Sequence, residues 1–202
     1  MAAIVGNLAA LACSQNELDF SLMQQPLRRI SAQALLALVA ILYPGLMSRA
    51  QDVTEPALKA AFIYNLAKFT YWPEEATSGP KVFSMCVVGD SGVGEALERS
   101  VKDRLMAGSN ISVTRLSPSG SVRGCRVVYL SGVTKEQSAQ ILADLRTMPV
   151  LTISDLGGFN ELGGMFQFFF ERGQLRFSVG MDSVKKSGLQ LSAKLLDLAV
   201  RK

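Results

Sequence analysis

The chain of 202 residues contains no histidine. Without it there is no Ser-His-Asp or Cys-His catalytic system, no imidazole ligand for zinc or haem, and no ordinary proton switch near neutral pH. Most familiar hydrolase mechanisms are excluded with it. Blocks of like charge are also missing: no five consecutive residues share a sign, and 21 basic against 17 acidic residues leave a net charge of only +4. So even a balance describes a solvated surface better than one that tracks phosphates, and nucleic acid is not expected as a partner. What is present is apolar bulk. Hydrophobic residues make up 49% and charged residues 19%, enough to offset the entropy of ordering a chain, so a disordered protein is excluded. The length suits one domain plus an appendage of about fifty residues.

The appendage reads as an export address. Arg28 and Arg29 precede an apolar run over residues 30–42, then Pro44 and Gly45, then Ser48, Arg49 and Ala50. Charge, a short apolar stretch, and small residues three and one positions before the cut are what signal peptidase reads. The run is too short for the roughly twenty residues of a membrane-spanning helix. Residues 1–50 are therefore expected to be an extension plus signal peptide, cleaved after Ala50, with residues 51–202 as the mature domain. Glu17 and Asp19 do not fit the basic start of a signal, and translation from Met23 would restore an ordinary one. A lipoprotein reading through Cys13 fits poorly, because the leucine before it is misplaced and no positive charge precedes it. Removal of residues 1–50 takes away three arginines and two acids, which leaves a charge of +3 on the mature chain.

In the mature chain, Thr54, Glu55 and Pro56 form a helix-start signal. Leu58, Phe62, Leu66 and Phe69 then recur at helical spacing until Pro73. Residues 81–88 read as a strand. Residues 92–106 read as a helix with Val93, Leu97, Val101 and Leu105 on one face. Strands are expected over 111–116 and 127–130, a helix with a capping box at Thr134 and Gln137 over 134–146, and a strand over 150–154. A glycine-rich link then leads to residues 165–170 and 175–179, which form an antiparallel hairpin around Arg172 and Gly173. A short helix over 182–187, a cap at Gly188 and a terminal helix over 192–200 complete the chain. The expected fold class is α/β: a single domain whose mixed, mostly parallel sheet has flanking helices and a C-terminal antiparallel hairpin plus helix.

Gly89, Gly92 and Gly94 fall between a strand and a helix, where a phosphate-binding loop belongs. Glu95 stands where such a loop needs lysine, and Ala96 where it needs the hydroxyl that holds magnesium, so nucleotide hydrolysis is not expected. A tight strand-to-helix turn explains the glycines equally well. Cys86 and Cys125 lie at similar heights on strands that adjoin in a right-handed 2-1-3 sheet. In an oxidising compartment that favours a disulfide, with two free core thiols as the competing arrangement. Asp155, Asp182, Glu74 and Glu75 have no partners at a diagnostic spacing and read as solvated loop and cap positions. Phe159, Phe166, Phe168, Phe169, Phe170 and Phe177 either fill the core on both sheet faces or leave some rings exposed.

Several of these stretches together resemble the YfiR-like proteins of the bacterial periplasm. The matching pieces are Lys59-Ala60-Ala61-Phe62-Ile63-Tyr64-Asn65 to Lys68-Phe69 with Trp72-Pro73, then Cys86-Val87-Val88-Gly89-Asp90, Cys125 before an apolar strand, and Pro149-Val150-Leu151-Thr152. Gly163-Gly164-Met165, Leu175-Arg176-Phe177, and Ser187-Gly188-Leu189 to Lys194-Leu195-Leu196 continue the series, in family order, over residues 57–198. The resemblance implies a periplasmic α/β domain that binds the periplasmic sensor region of an inner-membrane diguanylate cyclase, a GGDEF protein. The domain would hold that enzyme inactive and so lower cyclic-di-GMP and biofilm formation. The family's cysteine pair maps onto Cys86 and Cys125, and a second pair found in some members has no counterpart after Cys125.

The expectation is thus a non-enzymatic repressor without a cofactor or metal, not inserted in the membrane after cleavage, with a homodimer left open. Its partner-binding anchors are expected to be Tyr71 and Trp72 at the end of the first helix, and Phe168, Phe169 and Phe170 on the hairpin. The rival is a periplasmic small-ligand sensor for another membrane signalling protein, which would need a concave apolar pocket between the Gly89 to Glu95 turn and the neighbouring sheet edge. An exported enzyme is the third reading, and the missing histidine and unpaired acids argue against it.

Overall fold

A computed structural model describes residues 54–73 and 82–200. The proposed start at Met23, Cys13, the cleavage point after Ala50 and the Glu74-Glu75 pair lie outside the described residues.

Helix α1 (Glu55–Lys68) opens where the sequence says it should. The Thr54 hydroxyl accepts from the Ala57 amide, and Pro56 occupies the first turn, where its missing amide costs nothing. It ends earlier than Pro73 requires, so the placement of Tyr71 and Trp72 at the helix terminus is corrected. Thr70–Tyr71 form strand β1, which will meet a C-terminal partner described below. Two hydrogen bonds mark the helix end: the Phe69 amide donates to Asn65 O, and Thr70 Oγ1 donates to Leu66 O at 2.7 Å.

The next elements are β2 (Val82–Val88), α2 (Ser91–Val101), β3 (Leu105–Met106), β4 (Ser109–Leu116) and β5 (Val127–Leu130). Then come α3 (Lys135–Leu145), β6 (Leu151–Ser154), β7 (Phe166–Glu171) and β8 (Gln174–Val179). The chain finishes with α4 (Met181–Ser187), β9 (Gln190–Leu191) and α5 (Ala193–Leu198). Helix α2 stops at Val101, five residues before the expected end. Leu105 is not on its buried face but on a separate strand, 61% exposed. Ala107 and Gly108 both have positive φ, 49° and 76°, and the ladder pairs Met106 with Ser109, so a two-residue primed turn folds β3 back onto β4. The same construction at Arg172 (φ 50°) and Gly173 (φ 75°) joins β7 to β8.

Seven strands form one sheet in the order β3-β4-β2-β5-β6-β7-β8. The inner five run parallel, and the antiparallel β3 and β8 form the edges. After β2 the chain builds β4 on one side and then crosses to β5 on the other, so the topological switch lies between β2 and β5. Helices α1 and α2 cover one face, where Phe83, Met85 and Val87 of β2 meet Ile63, Leu66, Val93 and Leu97. On the other face α3 packs Ile141, Leu142 and Leu145 against Cys86, Val88, Val128 and Leu130. A two-stranded ribbon pairs Thr70 with Leu191 and Tyr71 with Gln190, tying the end of α1 to the C-terminal segment. Beyond α5, the Val200 amide donates to Phe177 O on the outer side of β8 at 2.9 Å.

Candidate functional site

The parallel arrangement brings Cys86 and Cys125 into register, because β2 pairs with β5 with Cys86 opposite Val128. The two sulfurs form a disulfide, with Cα atoms 5.9 Å apart and a sequence separation of 39. Both residues are buried on the α3 face.

The Gly89 turn is a structural joint. Gly89 has φ +88°, and a side-chain carbon placed there would come within 2.0 Å of Ser131 O. Past its end β2 stays joined to both neighbours: the Gly89 amide donates to Leu116 O of β4, and the Ser131 amide, just after β5, donates to Val88 O, each at 3.1 Å. Asp90 caps α2 through the Val93 amide at 3.0 Å. Gly94 clears space for Arg115, which lies across α2 and reaches Glu95 at 3.1 Å and Glu98 at 3.2 Å. A carboxylate already caps this helix start, so an incoming anion would meet it there.

Sequence reasoning missed the most organised polar group, which lies at the carboxyl ends of β5 and β6, the end of an open α/β sheet where ligands bind. Asp155 follows β6 directly. Its Oδ2 accepts from Lys59 Nζ at 2.7 Å, from the Tyr129 hydroxyl at 3.0 Å and from the Ser131 hydroxyl at 3.0 Å. Lys59 also contacts Glu55 Oε1 at 2.6 Å, one helical turn earlier on α1. The reading of Asp155 as a solvated acid is therefore corrected: it anchors a buried ammonium from a segment 96 residues away in sequence. Asp182, by contrast, sits exposed in the first turn of α4. Burial pulls the Lys59 pKa down, but hydrogen bonds and charge from Asp155 and Glu55 outweigh it and hold the ammonium above its usual range. Burial, then the Asp155 charge, push the Tyr129 hydroxyl well above the ordinary phenol value, so it stays a proton donor.

Beside this group lies a cleft of about 310 Å³ lined by Glu55, Lys59, Asp155, Gly157, residues 167–170 of β7, and Leu175. It exists because β6 is short. Among the described residues, β7 pairs with β6 at Phe166 and Gln167, and from Phe168 onward its strand partner is β8. The cleft is not lined by the Gly89 to Glu95 turn, where the small-ligand reading had placed its pocket.

The five aromatic candidates divide. Tyr71 is 61% and Phe170 47% exposed. Trp72 is half-buried, its ring edge-on to Phe83 with centroids 5.1 Å apart, and its buried indole nitrogen has no hydrogen-bond partner among the described residues. Phe169 is half-buried as well. Phe168 is 1% exposed and packs against Phe62 and Tyr129, so it is a core residue and offers no surface to a partner. The sharing of one face by Phe168 and Phe170 is real, but the core under that face ends between them. Tyr71 and Phe170 do not converge on one spot: Tyr71 lies past the C-terminal end of α1, and Phe170 shares the cleft with Glu55 and Lys59 of its first two turns. A 14-residue helix separates them by about 20 Å.

Among the described residues, no helix is long and apolar enough to cross a membrane. The model of the YfiR/HmsC-like family matches residues 56–200, from the first turn of α1 through the segment that follows α5. The match spans the disulfide, the Gly89 turn, and Lys59, Tyr129, Ser131 and Asp155 of the polar cluster. The chain belongs to the YfiR/HmsC-like family.

Proposed function

We propose that this domain is a non-catalytic periplasmic repressor that binds the periplasmic sensor region of an inner-membrane diguanylate cyclase and holds the enzyme inactive. Lower cyclic-di-GMP and less biofilm follow from that binding. The observation that carries the reading is the family match over residues 56–200, since the family consists of regulators that act through protein contact in cyclic-di-GMP signalling. The disulfide between Cys86 and Cys125 supports an oxidising location. Export follows from Arg28, Arg29, the short apolar run and the Ser48-Arg49-Ala50 site, and mass spectrometry of the periplasmic protein should find Gln51 as its first residue.

The contact surface is apolar and centred on exposed aromatic rings. Tyr71 beside Trp72 and Phe170 beside Phe169 supply them at two separate points of that surface, while the small net charge affects the rate of encounter more than the affinity. Binding of the purified protein to the cyclase's periplasmic domain tests this directly. Tyr71→Ala and Phe170→Ala should keep the melting temperature, weaken binding and raise cyclic-di-GMP in cells. Loss of wild-type binding in 0.5 M salt with undiminished binding by both variants would reject the aromatic surface, and absence of any binding would reject the repressor reading. The cleft beside Asp155 favours a second activity, the sensing of a small molecule.

A further inference from the structure

Lys59 is unusual because two carboxylates hold it and both face the same cleft. The ammonium is almost fully buried, with its side chain 9% exposed, while Asp155 and Glu55 are 25% and 56% exposed. The three groups together carry a net charge of −1 at the cleft wall. Asp155 Oδ2 is saturated by three donors, so the remaining accepting capacity of the pair belongs to Asp155 Oδ1 and the solvent-facing side of Glu55. Nearby, Lys135 and Glu161 both approach Gly158 and offset each other's charge. The cleft therefore retains a negative bias.

Its remaining wall is apolar and aromatic. Phe168 and Leu175 form the inner side, and the exposed ring of Phe170 stands at the rim. In the antiparallel ladder, Gln167 and Phe169 pair through the main chain with Ser178 and Arg176, which turns the main-chain groups of Phe168 and Phe170 toward the side β6 has vacated. Carbonyl oxygens beside an anion and an aromatic face suit a ligand that donates hydrogen bonds and carries positive charge. The volume of about 310 Å³ matches the lower end of small-molecule sites.

We propose that this cleft is a binding site for a small organic cation, an ammonium bearing one apolar group, with the charge at Asp155 Oδ1 and Glu55 and the apolar group against Phe170 and Leu175. The site is independent of the repressor reading, because it is measured on the purified protein without a partner. The probes are benzylammonium, benzyl alcohol and benzoate, which share a ring and differ in charge, titrated calorimetrically at low salt. Benzylammonium should bind at about a 1:1 ratio, with the alcohol at least tenfold weaker and benzoate not binding. Glu55→Gln should weaken benzylammonium about fivefold and lower the melting temperature slightly, because it removes one of the two carboxylates that hold Lys59. Phe170→Ala should weaken it about threefold with little change in melting temperature, because half of its ring is exposed. No saturation by about 10 mM benzylammonium, binding of benzoate as tight as that of the cation, or unchanged affinity in both variants would overturn the proposal.

Discussion

The two faces of the sheet are covered unequally. Among the described residues, the side under α1 and α2 buries 24 hydrophobic residues, and there Phe62, Phe166, Phe168 and Phe177 meet as neighbouring rings. The side under α3 buries half as many, 12, and carries the Cys86–Cys125 bond. One layer is thick and held mainly by packing, with the Lys59–Asp155 pair at its edge, while the other is thin and covalently closed. The difference shows how a small domain divides its stabilisation: close packing gains with every added ring, whereas a crosslink acts on the unfolded chain and needs little core around it.

The comparison is broken most severely in the thick layer. Phe168→Ala removes a ring held 5.9 Å from Phe62 and 6.2 Å from Tyr129, and urea unfolding should show a loss of about 3–5 kcal/mol. A loss no larger than that of Phe170→Ala would mean the thick layer is not packed as described. Next comes the staple. Replacing Cys86 and Cys125 together with alanine reopens a loop of 39 residues and should cost up to about 4 kcal/mol, with the full figure reached only if the crosslink carries no strain. An unchanged denaturation midpoint would show that α3 needs no covalent help.

The sheet end, where the layers meet, should respond more mildly. Asp155→Ala strands a mostly buried ammonium and two hydroxyls, and should cost roughly 2–3 kcal/mol. Adding Lys59→Met should recover part of this loss, and strictly additive effects would mean that the two charges are not coupled. Alkali probes the same group. Lys59 and Tyr129 both have pKa values raised above their unfolded values of 10.5 and 10.0, so above pH 10 the folded state holds more protons than the unfolded one. Stability should be level through neutral pH and fall from about pH 10 upward, and Tyr129→Phe should reduce the slope of that fall. The smallest effect is expected at Tyr71, where alanine should change stability by under about 1 kcal/mol while weakening partner binding about tenfold.

Much of the architecture was legible because it is written locally. The Thr54 cap, the Thr134–Gln137 capping box and the Arg172-Gly173 turn each rest on residues within a few positions of one another. The cysteine pairing was legible for a different reason: strand order follows from handedness, which makes β2 and β5 neighbours. Leu105 misled because it continues the spacing of Val93, Leu97 and Val101. The turn that removes it uses Ala107-Gly108 in place of the Asn-Gly that would have signalled a hairpin. The end of α1 was hidden as well, since Thr70 and Tyr71 become a strand only when Gln190 and Leu191 arrive to pair with them. Lys59 and Asp155 were the least visible. No local pattern ties a helix lysine to an acid at the end of a distant strand, and only the position of Asp155 just after a parallel strand, where open α/β sheets gather function, could have drawn notice to it.

The bond from the Val200 amide to Phe177 O has a consequence for how molecules of this protein meet at high concentration. Strand β8 is a six-residue sheet edge, and an uncovered edge of that length is a template on which another chain can add a strand. Val200 occupies the middle of its outward row of main-chain groups, and Arg176 adds a charge beside it. The segment after α5 thus works as a guard against intermolecular β-pairing. Removal of residues 199–202 should leave the fold standing yet make it prone to assemble edge to edge.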